Sequence, residues 1–218
     1  MELWTQWLNA IHGLLSFLSL QVGLGTGLGI VVLTLLLRTV ILPISWPIAY
    51  RGSIRQKKMA RLQPELQRLK AEFGDQPQIY ATRMMKLYES RGITVMDWRS
   101  LMGSLVQMPL FLGMYQTLRA GVNGARFLWV ETLARPDPIF ALLAALTTML
   151  MMMSNPDLPE QMRVMLILIP SILAAIAALK FCSALAVYWT VSNCYSAIQT
   201  GALHYTIARR IKSGAVRI

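Results

Sequence analysis

The stretch Gly29-Ile-Val-Val-Leu-Thr-Leu-Leu-Leu-Arg-Thr-Val-Ile-Leu-Pro43 is apolar enough to cross a bilayer, yet it contains one charged residue, Arg38. A guanidinium stays charged in any protein environment, and its burial at the centre of a membrane is costly. The next basic residue, Arg51, lies 13 positions further on, which is roughly 20 Å along a helix. An arginine side chain is too short to reach an interface at that distance. We therefore expect Arg38 to face a polar, hydrated cavity within the membrane and to be a functional residue.

The composition argues against an ordinary soluble protein. Of the 218 residues, 55% are hydrophobic and only 14% are charged, whereas about 25% are charged in a typical soluble domain. The net charge of +11 could indicate a nucleic-acid partner. However, the basic residues lie between long apolar segments and not on one compact face, so a membrane orientation signal explains them better. We expect no DNA partner.

The N-terminal region predicts an amphipathic helix followed by a first span. One apolar stripe at helical spacing consists of Trp4, Leu8, Ile11, Leu15 and Leu18. This pattern predicts an interfacial amphipathic helix over residues 1–22. The first transmembrane span follows at 23–50, and its entry glycines (Gly23, Gly25, Gly27 and Gly29) favour close backbone packing. Pro43 and Pro47 are expected to kink or end this helix near its exit.

Residues 51–95 are predicted to form a helical hairpin in the cytoplasm. Met59, Leu62, Leu66, Leu69 and Phe73 alternate spacings of three and four, as in the seam of a coiled coil. The segment from Gly74 to Pro77 predicts a turn, with Asp75 or Gln76 as N-cap and Pro77 near the first helical position. The outer faces are strongly basic, which is typical of a solvated surface and also suits anionic lipid headgroups or an acidic partner.

Four further apolar segments within 96–205 predict transmembrane spans two to five, followed by a basic tail at 206–218. With the hairpin in the cytoplasm, the Lys and Arg residues of the loops and tail number 16 inside and four outside. The positive-inside rule then places the N-terminus outside and the C-terminus inside, a parity that five spans satisfy. The expected fold is an all-α, polytopic membrane protein. The start, Met-Glu-Leu-Trp, lacks the marks of a secretory or organelle signal, so we expect a bacterial inner membrane.

Five segments in this order resemble the YidC/Oxa/Alb membrane insertases. They are 37–43 (Leu-Arg-Thr-Val-Ile-Leu-Pro), 58–65 (Lys-Met-Ala-Arg-Leu-Gln-Pro-Glu), 107–115 (Gln-Met-Pro-Leu-Phe-Leu-Gly-Met-Tyr), Asp137-Pro138, and 188–199 (Tyr-Trp-Thr-Val-Ser-Asn-Cys-Tyr-Ser-Ala-Ile-Gln). Each motif is weak alone, but their shared order and spacing over about residues 1–210 is specific.

The resemblance implies a five-span core with a hydrophilic groove that opens to the cytoplasm and the lipid. Arg38 matches the family's groove arginine, and Thr34 matches a polar groove residue one turn earlier. Trp189, next to Tyr188, occupies the position of an aromatic substrate contact, and Gln107 matches a glutamine near the groove. Independently of the resemblance, a buried guanidinium needs polar neighbours. The available ones are Gln107, Ser192, Asn193, Ser196 and Gln199, which could equally form hydrogen bonds between helices.

The chain departs from the family pattern at two places. Before the second span, Met96-Asp97 and Gly103 replace the usual Asn-Pro and a later proline. Before the last aromatic pair, Cys182 and Ala184 stand where the family has Pro and Gly. The two cysteines, Cys182 and Cys194, are too far apart along one helix for a disulfide.

The expected function is insertion of nascent hydrophobic segments into the bilayer, without covalent chemistry, cofactor or metal. The expected partners are nascent membrane proteins and lipid, with the Sec translocon and the ribosome as candidates. The main alternative is an anion channel or transporter subunit, although no inverted repeat is evident. An enzyme is disfavoured because His12 and His204 lie near no convincing catalytic set. A purely structural subunit would leave Arg38 dispensable.

Overall fold

The computed structural model describes residues 2–93, 98–122, 124–159 and 162–215, with the side chains of 98–107, 120 and 121 excluded. The helices are α1 (Glu2–Ser16), a π-helical turn (Phe17–Gln21), α2 (Gly25–Arg61), α3 (Gln63–Phe73), α4 (Pro77–Ser90), α5 (Trp98–Gly121), α6 (Pro138–Met153), α7 (Arg163–Ala178) and α8 (Ser183–Lys212). Across these ranges the only β-pairing is an isolated bridge between Phe127 and Val130. The predicted all-α class is confirmed.

The helices differ in their suitability as membrane spans. In the described ranges, α2 alone is both long enough and apolar enough to cross a membrane by length and composition. Helices α6 and α7 are shorter apolar helices of 16 residues each. Helix α2 begins in the segment predicted as the first span, 23–50, and α6 and α7 lie within the apolar region predicted at 96–205.

Two helices extend beyond their apolar segments. Helix α2 continues past Pro43 and Pro47 to Arg61, so of the two expected effects, a kink or an end of the helix, the end does not occur. Helix α8 continues through the basic residues to Lys212. Lys, Arg, Gln and Ala are good helix formers, so a helix has no reason to stop where its apolar character stops. A proline removes one backbone hydrogen bond, which a long helix tolerates.

One compact unit comprises Met1–Pro43 and Leu105–Ala202. Its core lies where α1, α2, α5, α6 and the first turns of α8 pack together, around Ile30, Leu33, Met114 and Leu185. Helices α6 and α7 pack along one another as a helical hairpin. Leu133, in the loop between α5 and α6, is completely buried in this core.

Helix α1 has the predicted amphipathic pattern. Ile11, Leu15 and Leu18 are buried, while Trp4 and Leu8 of the same stripe are half-buried. The stripe packs on α5, where Gly113 leaves room for the side chains of Trp7 and Ile11. A Cβ at Gly113 would lie 2.6 Å from the Trp7 Nε1 and 2.8 Å from the Ile11 Cδ1. The C-terminal part of the apolar face of α1 is therefore covered by protein.

The four glycines at the start of α2 serve two purposes. Gly27 is packed against the ring of Phe127, and a Cβ at Gly29 would lie 2.6 Å from the Ser19 hydroxyl, as the expectation of close packing requires. Gly23 and Gly25 instead have φ angles of +75° and +72° and open space around their Cα atoms. These two provide the backbone turn that leads into α2.

The second unit comprises Ile44–Ser104 and Leu203–Ile218. In it α3 and α4 form a hairpin with a small core of Leu62, Leu66, Tyr88 and Ile93. Pro77 is the first residue of α4 and Gln76 is its N-cap, as predicted. Exposed contacts complete the hairpin: an ion pair joins Arg91 and Glu65 at 2.9 Å, and the Arg83 guanidinium lies over the Phe73 ring.

Candidate functional site

Arg38 lies in the apolar part of α2 and contacts α8. Its Nε donates a hydrogen bond to the Ser192 hydroxyl at 2.8 Å, and its Nη2 also donates to that oxygen. Ser192 is buried, whereas Arg38 is half-buried. A serine that the sequence offered as one of several polar neighbours is therefore the residue that the guanidinium contacts.

The face of α8 that meets Arg38 carries three hydroxyl groups. Tyr188, Ser192 and Tyr195 follow one another at spacings of four and three, which places them on one side of a helix. The Tyr188 and Tyr195 hydroxyls are both within electrostatic range of Arg38. Hydroxyl groups stabilise a cation by their dipoles but do not neutralise it. The guanidinium of Arg38 therefore keeps its positive charge beside this face of α8.

No carboxylate among the described residues forms an ion pair with Arg38. A guanidinium has five N–H donors, and Ser192 accepts from two of its nitrogens. Within the part of the chain that the structure describes, the guanidinium therefore has N–H groups left for an additional acceptor. An arginine that keeps its charge and has N–H groups available can attract an acidic or polar group.

Thr34 lies one helical turn before Arg38 but is occupied by its own helix. Its side chain is completely buried, and its hydroxyl donates to the Ile30 carbonyl at 2.7 Å. This back-bond satisfies the hydroxyl hydrogen. Thr34 packs inside the protein beside the core residues Ile30 and Leu33.

Trp189 and Tyr188 pack on α5 through Phe111. The Phe111 and Trp189 rings meet edge to face with centroids 6.1 Å apart, and the Phe111 and Tyr188 centroids are 6.4 Å apart. Tyr188 is only 2% exposed, whereas Trp189 is half-buried. Of the two aromatic residues that the resemblance singles out, Trp189 is the one with accessible ring surface.

Asn193 connects α8 to α6. Its Nδ2 donates to the Thr148 hydroxyl at 2.7 Å, and that hydroxyl donates to the Ala144 carbonyl at 2.7 Å. Asn193 and Thr148 are both buried. The asparagine therefore makes the hydrogen bond between helices that was its alternative interpretation, and it makes no contact with Arg38 among those described.

The remaining sequence-based candidates are less informative. The Gln107 side chain and Asp97 lie outside the residues and side chains that the structure describes, as does the Gly103 environment. Cys182 and Cys194 are free thiols. In the described ranges, no group of three or more His, Cys, Asp or Glu side chains is arranged to hold a metal ion.

Three residues at this site escaped the sequence-based selection. Phe111 packs against both aromatic residues of α8, Tyr195 completes the hydroxyl face, and Thr148 accepts from Asn193. The helical spacing from Tyr188 would have identified Tyr195. Phe111 and Thr148 depend on the packing of α5 and α6 against α8, which spacing along one helix does not reveal.

Comparison with known proteins gives a consistent result. Residues 17–210 match the family model described as 60Kd inner membrane protein. The chain is 32% identical over 192 residues, 86% of its length, to the membrane protein insertase YidC of Pseudomonas putida. It is 30% identical over 210 residues to the YidC of Cellvibrio japonicus and 29% identical over 176 residues to that of Aquifex aeolicus. These matches cover 94% and 79% of the chain, respectively. The chain spans 32–35% of the length of these curated relatives.

Proposed function

The chain belongs to the 60Kd inner membrane protein family, which includes the YidC insertases, and we propose from this that it inserts nascent hydrophobic segments into the bilayer. The site of action is a hydrophilic groove that carries Arg38. The observation on which the proposal depends is the contact of Arg38, in the apolar part of α2, with the neutral hydroxyl of Ser192.

The proposed topology has five spans, formed by α2, α5, α6, α7 and α8. The N-terminus lies outside, and the α3–α4 hairpin and the C-terminus lie in the cytoplasm. The distribution of Lys and Arg supports this orientation, because the end of α2, the α3–α4 hairpin and the end of α8 together carry most of the basic residues. The expected location is the bacterial inner membrane.

The charge of Arg38 supports a role in substrate attraction. A structural arginine in a membrane protein is normally paired with a carboxylate or a set of carbonyl groups. Arg38 instead contacts Ser192 and lies near two tyrosine hydroxyls. Its positive charge is then available to a polar or acidic residue at the translocating end of a client.

The proposed mechanism lowers the cost of moving polar groups across the hydrocarbon core, which is about 30 Å thick. A hydrated groove that reaches partway through the membrane shortens this distance, and Arg38 offers a hydrogen-bonding partner inside it. The apolar part of the client then moves from the groove into lipid, and burial of its side chains supplies the free energy.

The accessible surface of Trp189 is suited to contact the apolar part of the client. Its ring is held against Phe111 and is half-buried, so it presents a rigid, partly exposed aromatic surface. The nascent client and the lipid bilayer are the proposed partners. The basic hairpin and the basic end of α8 suit an anionic surface such as a ribosome, and the Sec translocon is a second proposed partner.

The proposal is tested with the purified chain in liposomes and a short single-span client that has an acidic leading tail. Insertion is measured as protection of that tail from added protease. We expect the wild-type chain to support insertion and Arg38→Ala to reduce it several-fold. Arg38→Lys should retain part of the activity because it keeps the charge but loses the planar donor array.

The matched control is Thr39→Ala, one residue further along α2. Thr39 is exposed, and its hydroxyl donates to the carbonyl of Leu35 within the same helix. This variant should insert the client like the wild type. Wild-type insertion by Arg38→Ala would contradict the groove mechanism. Chloride efflux without client insertion by the wild-type chain would favour the anion channel.

A further inference from the structure

The loop between α5 and α6 contains a tight turn whose tip, Leu128–Trp129, projects from the first unit. Phe127 and Val130 exchange both backbone hydrogen bonds, at 3.0 and 2.9 Å. Leu128 therefore holds the first central position of a two-residue turn, and its φ is +52°. Gly, Asn or Asp normally supplies that conformation. Because Leu128 is 71% exposed, its strained backbone is not offset by burial of the side chain within the protein.

Stacked aromatic rings hold this turn in place against α6. Phe140, in the first turn of α6, stacks on Phe127 on one side, with centroids 6.1 Å apart, and on Trp129, with centroids 4.7 Å apart. The Phe127 ring occupies the space left by Gly27 in α2. The tip is therefore positioned by ordered packing against α2 and α6.

The polar group of Trp129 is already satisfied. Its Nε1 donates to the Asp137 Oδ1 at 3.2 Å, and the same oxygen caps α6 by accepting from the Phe140 backbone N–H at 2.9 Å. The indole is nevertheless 47% exposed. The tip thus presents an apolar leucine and an indole whose N–H needs no water.

The tip lies at the end of the apolar outer face of α6. Exposed residues at spacings of three and four form that face: Ile139, Leu142, Leu146 and Leu150. Trp129 is tied to the N-cap of the same helix, only two residues before Ile139. If this face contacts hydrocarbon, Trp129 lies at the depth where the helix leaves it, which is the depth that tryptophan prefers. The exposed Arg126, close to the tip, suits lipid phosphate groups.

We propose that the Leu128–Trp129 tip is a membrane anchor that enters the boundary between headgroups and acyl chains beside the N-terminus of α6. This inference rests on the proposed function in one respect, namely that α6 spans the bilayer. Insertion of Leu128 into lipid provides the burial that the protein itself does not provide. The anchor fixes the depth of the first turn of α6 in the membrane.

The test measures the depth of a fluorophore in the full chain, reconstituted in nanodiscs of phosphatidylcholine and phosphatidylglycerol. Cys182 and Cys194 are first replaced by serine, and a single cysteine is introduced by Leu128→Cys and labelled with an environment-sensitive dye. Lipids spin-labelled near the headgroup or near the tail end report depth, and iodide reports exposure to water. We expect the shallow lipid quencher to be several-fold more effective than the deep one, with little quenching by iodide.

Two further labels make the result decisive. Leu142→Cys, on the outer face of α6, should be quenched by the deep lipid label, and Gln76→Cys, at the exposed hairpin turn, should be quenched by iodide alone. If the Leu128 label behaves like the Gln76 label, the anchor is overturned while α6 remains a span. Protection from both iodide and lipid would mean that a protein covers the tip, which also overturns the anchor. If the Leu142 label escapes lipid quenching, the membrane placement of α6 fails as well.

Discussion

Arg38 and Ser192 are 154 residues apart in the sequence, yet the arginine Nε donates to the serine hydroxyl at 2.8 Å. This contact joins the most unusual residue of α2 to a buried position of α8. It holds the guanidinium against a face of hydroxyl groups without cancelling its charge. The first prediction concerns the strength of that contact.

A double-mutant cycle with Arg38→Ala and Ser192→Ala should give a coupling free energy of about 1–2 kcal/mol, because hydrogen bonds to charged groups contribute in this range. The measurement is unfolding of the purified chain in mixed micelles by a denaturing detergent. Arg38 paired with Thr39→Ala is the control cycle and should show no coupling. Additive effects of Arg38→Ala and Ser192→Ala would show that the contact contributes nothing to stability.

Asn193 should behave as a structural residue that joins α8 to α6. Asn193→Ala and Thr148→Ala should each destabilise the chain, with a coupling of about 0.6 kcal/mol, the average for hydrogen bonds between membrane helices. Client insertion by either variant should fall no further than the loss of folded protein explains. A specific loss of insertion with normal unfolding behaviour would instead assign Asn193 to the groove.

Gly113→Ala should disturb the packing of α1 on α5. The added Cβ meets the Trp7 Nε1 at 2.6 Å and the Ile11 Cδ1 at 2.8 Å, and overpacking of this kind typically costs about 1–3 kcal/mol. Detergent unfolding and the rate of proteolysis in α1 measure the effect. Gly13→Ala is the matched control, since it adds the same methyl group to α1 with no atom within 4 Å. It should be neutral or stabilising, and equal effects of both variants would contradict the packing.

Leu128→Gly should stabilise the fold in micelles relative to Leu128→Ala. Both variants remove the exposed side chain, but only glycine relieves the left-handed backbone conformation, which costs other residues about 1–2 kcal/mol. The larger backbone entropy of glycine in the unfolded chain offsets part of this gain. The measurement is the detergent concentration at the midpoint of unfolding. A lower midpoint for the glycine variant would mean that the turn is not strained.

The stability of the α3–α4 hairpin should decrease at alkaline pH because of Tyr88. Burial, and secondarily the neighbouring Tyr80, raises the pKa of the Tyr88 hydroxyl above its usual value. As the pH rises, Tyr88 therefore loses its proton in the unfolded hairpin before it does so in the folded one. Its contribution to the free energy of unfolding is constant below about pH 10, the ordinary tyrosine pKa, and falls above it. Proteolysis of the hairpin in the full chain measures the change. Tyr88→Phe should remove most of this pH dependence, and an unchanged profile in that variant would exclude Tyr88 as its source.

The features that the sequence predicted best were those carried by one helix. Arg38 was identifiable because a single charge interrupts an apolar run, and the buried face of α1 followed from its periodicity. Pro77 at the start of α4 followed from its fixed φ angle. Each of these features is determined by residues that are close to one another in the sequence.

The features that could not be predicted depend on how helices pack. The choice of Ser192 over Asn193 as the partner of Arg38 is set by the rotation of α8 against α2 and α6. The pairing of Gly27 with Phe127 joins two residues 100 positions apart. The continuation of α2 past Pro43 also did not follow from the sequence, because a 37-residue helix keeps its other backbone hydrogen bonds on both sides of a proline.

The junction between the α5–α6 loop and α8 is held by main-chain hydrogen bonds, and it can therefore tolerate changes of side chain. The first backbone N–H groups of α8, from Ser183 and Ala184, donate to the Arg135 and Leu133 carbonyls at 3.0 and 3.1 Å. Bonds between main-chain atoms do not depend on side-chain identity. Glycine in place of Ala184 would keep its N–H, and proline in place of Cys182 would keep the carbonyl that accepts from Leu185. Substitutions can therefore accumulate at this junction over evolutionary time while its geometry persists.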